Sequence, residues 1–221
     1  MIRTMSSFKE VLNTIPKDVC LVAVSKTKPV DDILEIYQQG QSVFGENKVQ
    51  ELVAKYEVLP KDIEWHLIGH LQSNKVKYIA PFVSLIHSID SLKLLKEVNK
   101  EAKKNDRVIN CLLQFHIAQE ETKFGLNLDE AKALLESEDF MQMENVSIVG
   151  VMGMASFSDD ENQVRDEFRI LENTFSILKS HYFKFNDNFK EISMGMSGDY
   201  KIAIEEGSTM VRVGSLIFGK R

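Results

Sequence analysis

Cys20-Leu21-Val22-Ala23-Val24-Ser25-Lys26 is the stretch on which the fold turns. Five apolar residues in succession leave no polar face for solvent, so the run reads as a strand of a parallel sheet covered on both sides. Thr27-Lys28-Pro29 breaks it, and from Val30 onward Ile33, Ile36 and Tyr37 recur at helical spacing, with Pro29 as the start signal. Lys26 then stands at the carboxyl end of a parallel strand, where α/β proteins place their chemistry. A desolvated lysine beside a second positive charge, here Lys28, tends towards a depressed pKa, which favours a nucleophilic amine and a Schiff base. A surface lysine in a βα loop is the plainer alternative.

Strand-like runs begin near Val19, Ser42, Glu64, Val83, Arg107, Asn145, Lys190 and Ser208. Their spacing of about 27 residues is close to that of a βαβ unit. Between them lie amphipathic stripes, of which Leu92, Leu95, Val98 and Ala102 form one. Val164, Phe168, Leu171, Phe175 and Leu178 form the clearest. Asp90-Ser91 and Ser158-Asp159 supply cap residues before these two helices. Eight βα units predict an α/β fold, a single-domain (β/α)8 TIM barrel over residues 1–221, with a short helix in the first 15 or so residues. A doubly wound open sheet is the competitor, but no G-x-G-x-x-G follows the first strand.

The chain has 221 residues, 43% hydrophobic and 27% charged, the balance of an ordinary globular domain. A formal charge of −6 speaks against nucleic acid or an acidic membrane as partner. No apolar run approaches the roughly 18 residues that span a bilayer, and the first residues lack the apolar core of a signal peptide. Cys20 and Cys111 sit in apolar runs as small hydrophobes and make no disulfide framework. A cytoplasmic protein is the expectation.

In a barrel, the residues after each strand share one rim. Those positions carry Lys26, Gly45-Glu46-Asn47, Gly69 to Lys75, Ser193 to Asp199, and Arg212-Val213-Gly214-Ser215. Glycines and hydroxyls after strands seven and eight offer N–H and O–H donors at the usual barrel phosphate site, and Ser197-Gly198-Asp199 reads as a helix start with its positive dipole. The glycines also suit plain tight turns. Lysine and phosphate site together suggest a ligand with an aldehyde or ketone at one end and a phosphate at the other. No metal is expected: the strand end falls between His66 and His70, breaking the face an H-x3-H pair needs. His87 and His116 read as core or rim histidines, and no G-x-S-x-G elbow supports a serine hydrolase.

Five motifs now stand in order: Ala23-Val24-Ser25-Lys26-Thr27-Lys28-Pro29, Phe44-Gly45-Glu46-Asn47, Trp65 to Lys75, Ser193-Met194-Gly195-Met196-Ser197, and Gly207 to Gly214. With them the whole chain resembles the pyridoxal phosphate homeostasis proteins (YggS-like), relatives of the amino-terminal barrel of alanine racemase. The resemblance implies a barrel that holds pyridoxal 5′-phosphate and helps control its supply, without established turnover. It implies that Lys26 forms the internal aldimine, and that Ser197, Gly214 and Ser215 hold the phosphate, with Ser193 a further candidate. Arg212 would face the pyridine nitrogen and Asn47 would line the pocket near the ring. The loop Glu120-Glu121-Thr122-Lys123-Phe124-Gly125 keeps the family's Thr/Ser-Lys-x-Gly pattern but has phenylalanine where a smaller residue is expected.

A cofactor-binding and delivery protein is therefore the first reading, monomeric, with apo forms of pyridoxal-phosphate enzymes as candidate recipients. A pyridoxal-phosphate-dependent racemase or related enzyme is the alternative, and the residues alone leave a cofactor-free Schiff-base aldolase open. Against the racemase, an arginine cannot give a proton to the ring nitrogen. Racemisation also needs a second base, which alanine racemase takes from a tyrosine of an additional domain. This sequence ends at Arg221 without such a domain, and none of its five tyrosines falls at an obvious strand end.

Overall fold

The computed structural model describes residues 2–118 and 124–219. Eight parallel strands close into a barrel in sequence order, with β8 pairing back on β1. The strands are β1 Cys20–Val24, β2 Val43–Glu46, β3 Glu64–Leu67, β4 Leu85–Ile89, β5 Ile109–Phe115, β6 Val146–Gly153, β7 Glu191–Met196 and β8 Met210–Val213. The helices are α1 Ile2–Leu12, α2 Val30–Tyr37, α3 Val49–Val58, α4 Val76–Ile79, α5 Leu92–Lys104, α6 Leu128–Leu135, α7 Glu138–Met141, α8 Glu161–His181, α9 Tyr200–Glu205 and α10 Ser215–Phe218. This is the (β/α)8 barrel expected.

Two packed layers follow from the alternation of each strand. Outward residues such as Leu21, Ala23, Phe44, Trp65, Leu67, Val211 and Val213 join Ile33, Ile36, Leu95, Val98, Phe168 and Leu171 of the helices in one large core. Inward residues Val22, Leu85, Leu112, Val149, Met152 and Met210 form a smaller core inside the barrel. Burying a side chain of this size is worth about 1.5–3 kcal/mol, so the helical stripes hold the barrel's outer wall.

Caps fix where the helices start. Ser91 Oγ accepts from Leu94 N, and Asn127 and Glu130 form a reciprocal capping box on α6. On α8 the cap is Asp160, one residue past the expected Ser158-Asp159, with Oδ1 accepting from Asn162 N and Gln163 N. Ser158 instead accepts from Asp160 N and steadies the cap.

Three segments assigned to rim loops are in fact strand. Gly45 and Glu46 end β2, Ser193 to Met196 end β7, and Arg212 and Val213 end β8. Between β7 and β8 the register shifts, Ser193 facing Met210 but Met196 facing Arg212. Gly195 takes the strain of that bulge at φ 93°, and a Cβ there would lie 2.5 Å from Ala203 Cβ.

Candidate functional site

At the carboxyl ends of β1, β2, β7 and β8 lies a cavity of 410 Å³. Lys26, Asn47, Ser197, Arg212, Gly214 and Ser215 all line it. Val24, Ile68 and Met154 give it apolar walls, and Phe157, fully exposed, stands at its edge. Alternation along β1 turns Val22 and Val24 into the barrel and sets Lys26 on the same inward face. Lys28 Nζ donates to the Phe218 and Gly219 carbonyls at 2.9 and 3.2 Å, tying the β1 loop to the end of α10.

Ser193 is the one candidate that does not reach the cavity. It is buried one layer below, where its hydroxyl accepts from Arg212 Nη1 at 2.6 Å and meets His87 Nδ1 at 3.0 Å. His87 Nε2 in turn meets His66 Nδ1 at 3.1 Å, and Arg212 Nη2 donates to the Gly153 carbonyl at 3.0 Å. Burial pulls Arg212 down to about 10, against the opposing charge of Asp199, so it stays cationic at neutral pH. Burial pulls His66 down to about 3, and burial with the charges of His66 and Arg212 holds His87 well below its ordinary value. Both imidazoles are neutral. The order that satisfies each group runs from Arg212 to Ser193, from the Ser193 hydroxyl to His87 Nδ1, and from His87 Nε2–H to His66 Nδ1. His87 is thus a core histidine as expected, and with His66, which is also buried, it backs Arg212.

A second buried polar cluster lies outside the barrel wall. Lys55 Nζ of α3 donates to Glu46 Oε1 and Glu51 Oε1, each at 2.7 Å, and to the Ser25 carbonyl at 2.8 Å. Ser25 Oγ donates to the same Glu46 oxygen at 2.6 Å, and Thr27 N donates to Glu51 Oε1 at 2.5 Å. Burial pushes Glu46 up, while the Lys55 ammonium and Ser25 hydroxyl hold it down. Sequence reasoning missed this cluster. Its signal was Lys55 falling on the α3 face of Val49 and Leu52, both buried.

The phosphate end is built from single donors. Ser197 Oγ lies 3.2 Å from Gly214 N, drawing the ends of β7 and β8 together, with Ser215 beside them. Asp199 Oδ1 accepts from Met196 N and fixes the turn. The helices α9 and α10 have only six and four residues, so their dipoles add less than the sequence reading supposed. A cofactor with a phosphate, an aldehyde and a ring fits these residues. Hydroxyls gather at one end, an amine stands at another, and Asn47 Oδ1 is buried without a hydrogen-bond partner. Among the described residues no three His, Cys, Asp or Glu side chains gather to hold a metal, and no helix is long and apolar enough to cross a membrane. Glu120 to Lys123 lie outside the described residues; Phe124 stacks on His70 with ring centroids 4.3 Å apart.

Residues 6–221 match the family model of the alanine racemase N-terminal domain. A pyridoxal phosphate homeostasis protein of Aquifex aeolicus is 43% identical over 202 residues, covering 91% of this chain and 86% of that one. The structure of PipY from Synechococcus elongatus with PLP bound superposes with a TM-score of 0.87 at 32% identity, covering 98% of this chain and all of that one. Alanine racemase of Clostridium difficile gives a TM-score of 0.76 at 12% identity, covering 100% of this chain and 56% of that one, a likeness of fold.

Proposed function

Given that the chain belongs to the pyridoxal phosphate homeostasis protein family, we propose that it holds pyridoxal 5′-phosphate covalently on Lys26 and serves the supply of that cofactor. The observation that carries this is the meeting of Lys26 with Ser197, Gly214 and Ser215 in one cavity, under a cationic Arg212. The bound cofactor supplies an electrophilic aldehyde and a ring able to draw electrons. Lys26 provides the amine that takes up the aldehyde. Ser197 and Ser215 would donate hydrogen bonds to the phosphate, each worth roughly 1.5–3 kcal/mol when charge-assisted, with the Gly214 N–H, which donates to Ser197 Oγ, backing them. Arg212 directs a permanent donor at the ring nitrogen, and Asn47 orients the ring from the β2 side. Ser193 is reassigned: it steadies Arg212 rather than touching the phosphate.

The proposed role is carriage rather than turnover, in a monomeric cytoplasmic protein whose single domain spans residues 1–221, with apo-enzymes as recipients. In keeping with this, no tyrosine is among the described residues that line the cavity. Arg212, being always protonated, leaves the ring nitrogen without a proton and the ring a weak electron sink. The test is reduction with borohydride followed by peptide mass spectrometry. The expected result is a reduced cofactor on Lys26, lost in Lys26→Ala while the fold survives; an adduct on Lys28 or Lys123 in the wild type would overturn it. Incubation with L- and D-alanine and chiral chromatography tests the rest. Sustained interconversion at about 1 s⁻¹ or faster would establish an enzyme instead.

A further inference from the structure

We propose that Lys55 is a positioning residue for Lys26: together with Glu46 and Glu51 it clamps the backbone on both sides of Lys26 and so aims its amine into the cavity. The inference rests on Lys26 being the attachment site.

Lys26 is the one residue between two anchors. Before it, Ser25 is held at three atoms: its N–H donates to the Gly45 carbonyl at 3.0 Å, its hydroxyl to Glu46, and its carbonyl accepts from Lys55. After it, Thr27 stands in the left-handed region at φ 65°, which a β-branched residue seldom adopts, and its N–H donates to Glu51. That turn stops β1 from continuing straight, and the carboxylate that holds it is bonded to the same ammonium that holds Ser25. Lys55 is thus the atom bridge between the two anchors. Glu46 is fully buried and Lys55 nearly so. Apolar residues commonly stabilise a core as well as a buried ion pair does, so adherence of α3 to the sheet does not by itself require this cluster. What apolar residues could not do is hold a carbonyl and two N–H or O–H donors on either side of one side chain.

Three proteins are compared: the wild type, Lys55→Met/Glu46→Gln, which removes both buried charges together, and Glu51→Ala, which removes the acceptor of the Thr27 N–H while Lys55 keeps Glu46 and the Ser25 carbonyl. Capture of pyridoxal phosphate is followed by imine absorbance and located by borohydride. Binding of 4′-deoxypyridoxine phosphate, which has no aldehyde, reports the pocket without the covalent step. Hydrogen exchange reports the amides of residues 25–28. The expected result for the double variant is capture by Lys26 slowed at least tenfold, exchange at 25–28 raised at least tenfold, and affinity for the aldehyde-free analogue within twofold of wild type. Glu51→Ala should slow capture about threefold, and it decides the matter should the double variant not fold. Wild-type capture rates in the folded variants overturn the positioning role, as does an equal loss of the aldehyde-free analogue, which marks a damaged pocket. If the wild type itself gives no adduct on Lys26, the cofactor reading falls and the positioning role with it.

Discussion

Two polar clusters are buried in this barrel, one on each side of the same sheet, and burial has treated them oppositely. Outside, Lys55 Nζ stands 2.7 Å from a carboxylate oxygen of Glu46 and 2.7 Å from one of Glu51, a cation set between acids. Inside, Arg212 donates to neutral groups, the Ser193 hydroxyl and the Gly153 carbonyl. The groups behind it answer by giving up charge: His66 and His87 are neutral and pass hydrogen bonds in one direction. An ion cluster of the first kind fixes backbone; a neutral chain of the second kind fixes one cation that faces a ligand cavity. The lesson is that a buried lysine outside the barrel wall and a buried arginine inside it serve different ends.

The sharpest way to break the comparison is Lys55→Met alone. It strands Glu46 and Glu51 without their cation, and urea denaturation should show a loss of about 3–5 kcal/mol, most of it restored by adding Glu46→Gln. The inner cluster should respond to acid instead. A histidine depressed in the folded state lends stability that is complete above its unfolded value near 6.5 and is lost as pH falls towards its folded value of about 3 for His66. The unfolded state binds the extra proton in that window, so stability drops by about 1.4 kcal/mol per pH unit, or about 2 kcal/mol from His66 at pH 5. Denaturation curves at pH 7 and 5 should show it, and His66→Gln should flatten the slope. The smallest effect belongs to the cavity side of Arg212. Ser197→Ala should weaken pyridoxal phosphate about tenfold, or about 1.4 kcal/mol, in equilibrium dialysis and leave unphosphorylated pyridoxal nearly unchanged.

The strands were legible because a covered parallel strand is rich in apolar residues, unbroken in Cys20–Val24, and such stretches recur at the spacing of a βαβ unit. Their ends were not. Gly45 and Glu46 are poor strand formers, yet Gly45 is required in β2 because a Cβ would come within 2.8 Å of Val22 and 3.1 Å of Ile68. The bulge at Gly195 is equally silent, since nothing local distinguishes it from a turn glycine. Six cavity residues were legible because strand-end position and motif agree on them. Ser193 lies beneath the cavity because it is in the middle of β7, level with Met210 and Met152, and not past the strand's end. The links from Ser193 to His87 and from Glu46 to Ser25 join residues 106 and 21 positions apart, beyond any local pattern.

The Lys28 ammonium holds the carbonyls of Phe218 and Gly219 across 190 positions of sequence, and Ser7 Oγ holds the Ile217 carbonyl across 210. A ribosome makes these partners some 190 to 210 residues apart. Strand β1 with Lys26 emerges before the β8 segment that closes the barrel beside it, and before half the cavity. Contacts of such long range are slow to form, and partly made barrels expose unpaired edges. Capture of a ligand in this cavity must therefore wait for synthesis through Phe218. A ligand that bridges β1 to β8 would then fasten the seam where the ring closes.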